Sequence, residues 1–441
     1  MVSNKKIYKL SKKIRLNNGE VNDDELLLLQ DYRTSFSQPL SATFHKIRRI
    51  CDKVDRETIV AFRLKRIGTI INKLLRLQNT FVTTMGDIAG IRCIFKTQED
   101  VEKVLEIIKS KFEYDKNIRD YVNNPKQIGY KGLHIYIKEP RSGKKIEIQL
   151  RTIKDHNWAT LVEITDLLYG LRLKELGFKS NEKFAQFHAL MSSDKQLDKK
   201  EAYIIYSLLH ETDFISKLSN TFRKNNNEVK KRWSNQKKNH SFFLIEASKK
   251  DIPILKSFSS FKKAEEEYFK KYKENENAEI VLTSIRKPDF KQISIAYANY
   301  ILSYHNFIKD IKPILKEMAR EAIEDKEFNK FKNIFKTYEE LQANIILHSL
   351  SDSSDIFFNG FKKSKIILEF NRKVSAKKKQ QIINKLNLKL EQTQNEHNDF
   401  INELKGKIPN NFLSKYRYSK FLKKYNKRLK KRLKNKEYKF E

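Results

Sequence analysis

The sequence predicts an α/β protein with a smaller α/β accessory part and a helical, strongly basic end, and three observations carry that expectation. Between Thr58 and Glu163, short strands and helices alternate. Beyond a charged helical stretch, two apolar runs, Phe242-Phe243-Leu244-Ile245 and Ile280-Val281-Leu282, read as buried strands. The segment Phe361 to Glu441 then holds 25 Lys plus Arg against 7 Asp plus Glu, a net of +18 out of the whole chain's +36.

Taken in order, residues 1–55 are expected to form a helical leader. Leu26, Leu27, Leu29, Phe44, Ile47 and Ile50 supply its apolar positions, with an interruption at Pro39. Residues 56–175 form the central α/β module. Its clearest helix runs from Glu99 to Phe112, where Val101, Val104, Leu105, Ile108 and Phe112 share a face. Residues 176–239 read as a helical connector and 240–320 as the accessory α/β domain, which includes a helix from Gln292 with a packing stripe of Tyr297, Tyr300, Tyr304 and Phe307. Residues 321–441 read as helical and basic. Within them, Lys420 to Lys439 interleaves cations with Phe421, Leu422, Tyr425, Leu429 and Leu433, the pattern of a basic amphipathic helix suited to RNA, a ribosome or a partner helix.

A chain of 441 residues has room for two or three modules. Its 33% charged residues and +36 net charge point to a polyanionic partner. The only cysteines, Cys51 and Cys93, are expected to be incidental buried thiols in a reducing cytoplasm rather than zinc ligands. The amino terminus lacks the apolar stretch of a secretory signal, and no run of about 18 apolar residues occurs, so a soluble protein without a membrane partner is expected.

Successive side chains of a strand point to opposite faces, so one strand can serve a core and a chemical site together. Arg63 and Lys65 share a face of Phe62–Lys65. His134 and Tyr136 share one in Leu133–Ile137, and Glu147, Gln149 and Arg151 share one in Ile146–Arg151. A sheet with such a polar face would be a nucleotide platform. Between these strands, Asp87 stands at the entry to another strand with Arg92 five residues later, and a proline-bounded loop leads to Tyr130.

The ordered series Arg63-x-Lys65, Lys73-Leu74, Asp87-Ile88-Ala89-Gly90-x-Arg92, Asp120-Tyr121-x-x-Pro-Lys126, Gly129-Tyr130-x-x-Leu-His134, Glu147-Ile-Gln149-x-Arg151-Thr152 and His156-x-Trp158-Ala159-x-x-x-Glu163 resembles the synthetase domain of the RelA/SpoT alarmone enzymes. The resemblance implies a nucleotidyltransferase-like mixed sheet flanked by helices. It also implies transfer of the β,γ-diphosphate of ATP to a 3′-hydroxyl. Arg63 and Arg92 would sandwich the adenine, and Lys65 and Lys73 would hold the phosphates. Asp87 and Glu147 would bind Mg²⁺, with Glu147 also the candidate general base. Tyr130 would stack on the acceptor base, while Lys126, His134, Gln149 and Arg151 line the acceptor side. His156 and Glu163 are as readily structural as functional.

Three positions depart from the family pattern: Arg66 and Gly132 replace usual serines, and Ile128 a usual asparagine. None removes a charged site residue, so they bear on which acceptor is used. None of the nine histidines is followed by aspartate, and about 55 residues precede the motifs, so no alarmone hydrolase domain is expected. Three readings follow. The first is a (p)ppGpp synthetase acting on GDP or GTP. The second is a toxic relative that pyrophosphorylates the tRNA 3′ end, of the kind that works with an antitoxin partner or in phage defence. The third is an inactive RNA- or ribosome-binding relative.

Overall fold

Hydrophobic alternation in the central module builds one sheet, and the apolar runs after residue 240 extend it. The computed structural model describes residues 3–236, 239–247, 254–274, 279–285, 292–293, 304–351, 355–362, 365–371, 374–434 and 439–440. The chain divides into two units. One comprises Met1–Lys126, Tyr130–Thr160 and Asn235–Tyr300; the other comprises Gln127–Gly129, Leu161–Ser234 and Ile301–Glu441.

In the first unit the strands are β1 (Ile59–Leu64), β2 (Ala89–Phe95), β3 (Arg119–Asp120), β4 (Leu133–Lys138), β5 (Lys145–Thr152), β6 (Phe242–Ala247), β7 (Ile254–Phe258) and β8 (Glu279–Ser284). They form one eight-stranded mixed sheet in the order β3-β4-β5-β2-β1-β8-β6-β7. Only β2 and β5 run parallel; the other neighbours are antiparallel. The segment expected as a separate accessory domain therefore continues the central sheet. Periodicity marks a strand but not its partner, and without β8 the apolar β1 would be an open edge.

One face of this sheet is the core. Ile91, Cys93, Ile135, Ile148 and Leu150 are buried on it, together with Val101, Val104 and Ile108 of the helix Gln98–Lys111, which starts on an N-cap where Thr97 accepts from the Asp100 amide. Phe62 packs edge-on against Phe44 of the helix Ser37–Val54 and against Tyr268 of the helix Phe261–Glu274. The leader is helical as expected, but its break falls at Ser35–Phe36 rather than at Pro39, which sits in the first turn of Ser37–Val54. A proline there displaces no intrahelical hydrogen bond. Cys51 and Cys93 are buried and free.

The second unit is mostly helical, with helices including Glu182–Ser192, Lys199–Glu211, Phe214–Ser234, Tyr304–Glu324, Phe328–Ser351, Ala376–Gly406 and Phe412–Lys434. The region from 321 onward, expected as helical, is mostly helix and also holds short strands. Strands β9 (Ile356–Lys362) and β10 (Lys365–Phe370) form an antiparallel pair, and Lys439–Phe440 pairs parallel to β10. Apolar runs rich in Phe and Ile favour the extended chain here. Tyr297 and Tyr300 of the expected stripe lie outside the described residues. Among the described residues, no helix is long and apolar enough to cross a membrane.

Candidate active site

Strand register assembles the site. Across β1, β2, β5 and β4, Arg63, Gly90, Glu147 and Tyr136 stand directly opposite one another. Two residues along, Ala61, Arg92, Gln149 and His134 form the next row, which Arg119 of β3 completes. Alternation puts both rows on the face away from the core. Gly90 is the one residue of its row without a side chain. A Cβ there would meet only ordinary contacts, 3.7 Å from the Glu147 carbonyl oxygen and 3.8 Å from Glu147 Oε2. The fold does not demand a glycine at this place, and its absent side chain leaves a gap on the polar face between Arg63 and Glu147.

Glu147 is 7% exposed and accepts from three donors. His134 Nδ1 lies 2.9 Å and the Tyr136 hydroxyl 3.0 Å from Oε1, and Gln149 Nε2 is 2.7 Å from Oε2. The chain of donors has one consistent sense. Arg151 donates to the Tyr130 hydroxyl and, at 3.0 Å, to Gln149 Oε1. The Tyr130 hydroxyl donates to His134 Nε2 at 2.6 Å, and His134 passes its Nδ1–H to Glu147. A neutral imidazole satisfies this arrangement, in keeping with burial, which pushes the His134 pKa down against the opposing pull of Glu147. Burial raises the Glu147 carboxyl, but the hydrogen bonds from His134, Gln149 and Tyr136 outweigh it and hold the group well below the usual carboxylate range. Burial, then Glu147, raises the Tyr136 phenol, so it remains a donor.

A second carboxylate stands nearby. Asp87 lies in the turn before β2, and the helix Ile67–Arg76 that follows β1 carries Lys73. Lys65 Nζ is 2.9 Å from Asp87 Oδ2, and Lys73 Nζ is 2.8 Å from both Asp87 oxygens. Burial raises the Asp87 carboxyl and the two ammoniums outweigh it, leaving its pKa lowered, while the Glu147 charge acts the other way. Gly86 lets the Asp87 turn approach Tyr136, for a Cβ there would fall 2.6 Å from the Tyr136 ring. The result is two carboxylates whose charges act on each other, one held by two cations and one by neutral donors. Among the described residues no group of three or more His, Cys, Asp or Glu is placed to hold a metal. Two carboxylates still suit Mg²⁺, which commonly takes one or two together with substrate phosphates.

The segment from β1 through the helix Ile153–Tyr169 is the part that comparison with known proteins recognises: a family model described as "Region found in RelA / SpoT proteins" matches residues 62–171. Residues 62–171 are similar to this RelA/SpoT region. The chain is 28% identical over 159 residues to the GTP pyrophosphokinase YjbM of Bacillus subtilis (strain 168), covering 33% of this chain and 75% of that protein. It is 34% identical over 112 residues to the GTP pyrophosphokinase YwaC of the same organism, covering 22% of this chain and about half, 53%, of that protein. Among solved structures, the small alarmone synthetase 1 of Bacillus subtilis bound to its product pppGpp aligns at 23% identity with a TM-score of 0.30, over 37% of this chain and 93% of that one.

Within the RelA/SpoT region, the structure brings Lys65, Lys73 and Asp87 into one hydrogen-bonded cluster and His134, Glu147, Gln149, Arg151 and Tyr130 into another, with Arg63 and Arg92 on the same sheet face. Tyr130 is 8% exposed. Arg151 lies over its ring at 4.9 Å and the exposed Lys126 at 5.3 Å, and Tyr121 and Trp158 meet it edge-on. Its ring is thus enclosed, and its hydroxyl is a link in the donor chain. His156 is buried, and Glu163 pairs with Lys174. Tyr136 was the missing member of the expected site. Strand parity already put it on the face of His134, and only its bond to Glu147 required the fold.

Proposed function

We propose that this region transfers the β,γ-diphosphate of ATP to the 3′-hydroxyl of GDP or GTP. The acceptor oxygen bonds to the β-phosphorus of ATP, the bond from that phosphorus to the α,β-bridging oxygen breaks, and AMP leaves with that oxygen. What carries the reading is Asp87, held by Lys65 and Lys73, together with the Glu147 carboxylate beside the Gly90 gap. It is supported by the matched relatives, whose names are GTP pyrophosphokinase.

Lys65 and Lys73 neutralise Asp87 in the free protein, and a triphosphate offers them stronger anions. Their transfer to phosphate would release the Asp87 carboxylate to hold, with Glu147, a Mg²⁺ ion whose chemistry is to neutralise charge on the phosphates. Arg63 and Arg92 flank the gap and would take the adenine, since a planar guanidinium stacks as well as pairs. Glu147, held low by three donors, is better matched to binding a cation than to abstracting a proton. As the base for the 3′-hydroxyl it would first have to lose a donor such as Tyr136. Gly90→Ala is expected to lower transfer about tenfold while leaving the melting temperature within about 2 °C of the parent, measured by thermal unfolding and initial rates.

One observation favours RNA as the acceptor instead. On the helix Phe412–Lys434, Tyr418, Leu422 and Tyr425 are buried, while Phe412 is 86% and Tyr416 is 56% exposed, alongside exposed Arg417, Lys420, Lys423, Lys424 and Lys427. Aromatic rings interleaved with cations suit stacked bases and phosphates. ATP labelled in its β phosphate, offered with GDP, GTP and deacylated tRNA in separate reactions, decides between them. Label on the guanosine nucleotide is expected. Label on tRNA alone would replace this acceptor assignment with the RNA reading.

A further inference from the structure

The helix Phe261–Glu274 lies outside residues 62–171, yet its side chains hold the end of β1 and Lys65, which directly follows it. Strand β8 pairs with β1 only from Val60 to Phe62. Beyond it, at Leu64 and Lys65, two tyrosines stand where a strand neighbour would be. The Leu64 amide donates to the Tyr268 hydroxyl at 2.8 Å, and the Tyr272 hydroxyl donates to the Lys65 carbonyl at 3.0 Å. The Lys65 amide completes the set by donating to the Ile88 carbonyl at 2.8 Å, directly after Asp87. Buried backbone groups need such partners, and here they fix the base of the Lys65 side chain on both edges of the strand.

The tyrosines are themselves held. Both are buried and stack at 6.0 Å with 13° between their planes. The fully buried Arg33 lies 3.9 Å from the Tyr272 ring centre, and Gln30 bridges Arg33 Nη1 at 2.5 Å to the Tyr272 carbonyl at 2.8 Å. The leader helix Asp23–Thr34, the helix Phe261–Glu274 and the end of β1 therefore share one hydrogen-bonded cluster within the first unit.

We propose that Tyr268 and Tyr272 are positioning residues for Lys65, so that the segment after residue 240 sets how the site grips the triphosphate. The inference rests on the reading of Lys65 as a phosphate ligand. The test measures calorimetric binding of a non-hydrolysable ATP analogue to the full chain, with initial rates alongside. Tyr272→Phe removes one hydroxyl and is expected to weaken analogue binding about tenfold and to raise the ATP KM in step, leaving the acceptor KM unchanged. Tyr169→Phe removes a comparable phenol bond, 3.0 Å to the Thr212 carbonyl in the other unit, and is expected to leave analogue affinity unchanged. In a Lys65→Ala background, Tyr272→Phe is expected to change binding by no more than about twofold, because it acts through the lysine. Full affinity in Tyr272→Phe, or an equal loss in both backgrounds, would overturn the proposal. A parent protein that binds the analogue but transfers nothing would refute the transferase reading and leave this proposal to be judged by binding. A parent that does not bind it would overturn both.

Discussion

A chain ending at Asn239 is expected to lose the folded sheet and all transfer activity, although it retains every residue of the RelA/SpoT region. The reason lies in β1, the strand that carries Arg63. It has β2 on one side and β8 on the other, so removing β6, β7 and β8 exposes the backbone of Val60 to Phe62 along an apolar strand. The same cut removes Phe261, stacked on Phe44 at 5.4 Å, and Tyr268, edge-on to Phe62 at 5.1 Å. Loss of one buried aromatic side chain costs about 3–5 kcal/mol, and a whole domain is stable by only about 5–15 kcal/mol. Circular dichroism melting of the shortened chain should find no cooperative transition. A transition within a few degrees of the parent's, with activity retained, would mean that the segment is separable.

Glu147→Gln is expected to lower the rate of transfer by about 10³-fold or more, because it removes one of two charges that would hold the cation and leaves the nucleotide's charge unbalanced. The substitution also has a structural cost. Three donors converge on the carboxylate, and an amide can accept only through its oxygen, so one donor meets an N–H. A buried donor left unmatched costs about 1–3 kcal/mol, a drop of several degrees in melting temperature. The pH dependence follows from the depressed carboxyl pKa. The stability contributed by Glu147 is fully present above about pH 4.5, its ordinary value, and is lost as pH falls toward the lower folded-state value. Thermal melts of the parent and Glu147→Gln should therefore differ at neutral pH and converge in acid. A gap that persists or widens in acid would contradict the ionised state assigned here.

Much of this site was legible before the fold. Parity alone put Arg63 with Lys65, His134 with Tyr136, and Glu147 with Gln149 and Arg151, because strand alternation is a local rule. The helix Gln98–Lys111 was equally plain from its apolar face. What stayed hidden depends on contacts distant in sequence. Nothing local to Tyr268 or Tyr272 signals that their hydroxyls serve Leu64 and Lys65, more than 200 positions away. Nor does Ile280-Val281-Leu282 reveal that its partner is β1 rather than a sheet of its own. The packing around the Tyr130 ring is likewise not local, for Arg151, Lys126, Tyr121 and Trp158 converge on it from separate parts of the chain, whereas the family resemblance implied only that this ring stacks on the acceptor base.

Phosphorus magnetic resonance of the full chain incubated with Mg²⁺, ATP and GDP tests the central claim most directly, because it reads which bond of ATP breaks. Diphosphate transfer predicts AMP in step with a guanosine nucleotide bearing a new coupled pair of phosphorus signals at its 3′ position, and neither product from Glu147→Gln. Release of ADP with a single new phosphate, or of free pyrophosphate, would assign a different reaction to this polar face.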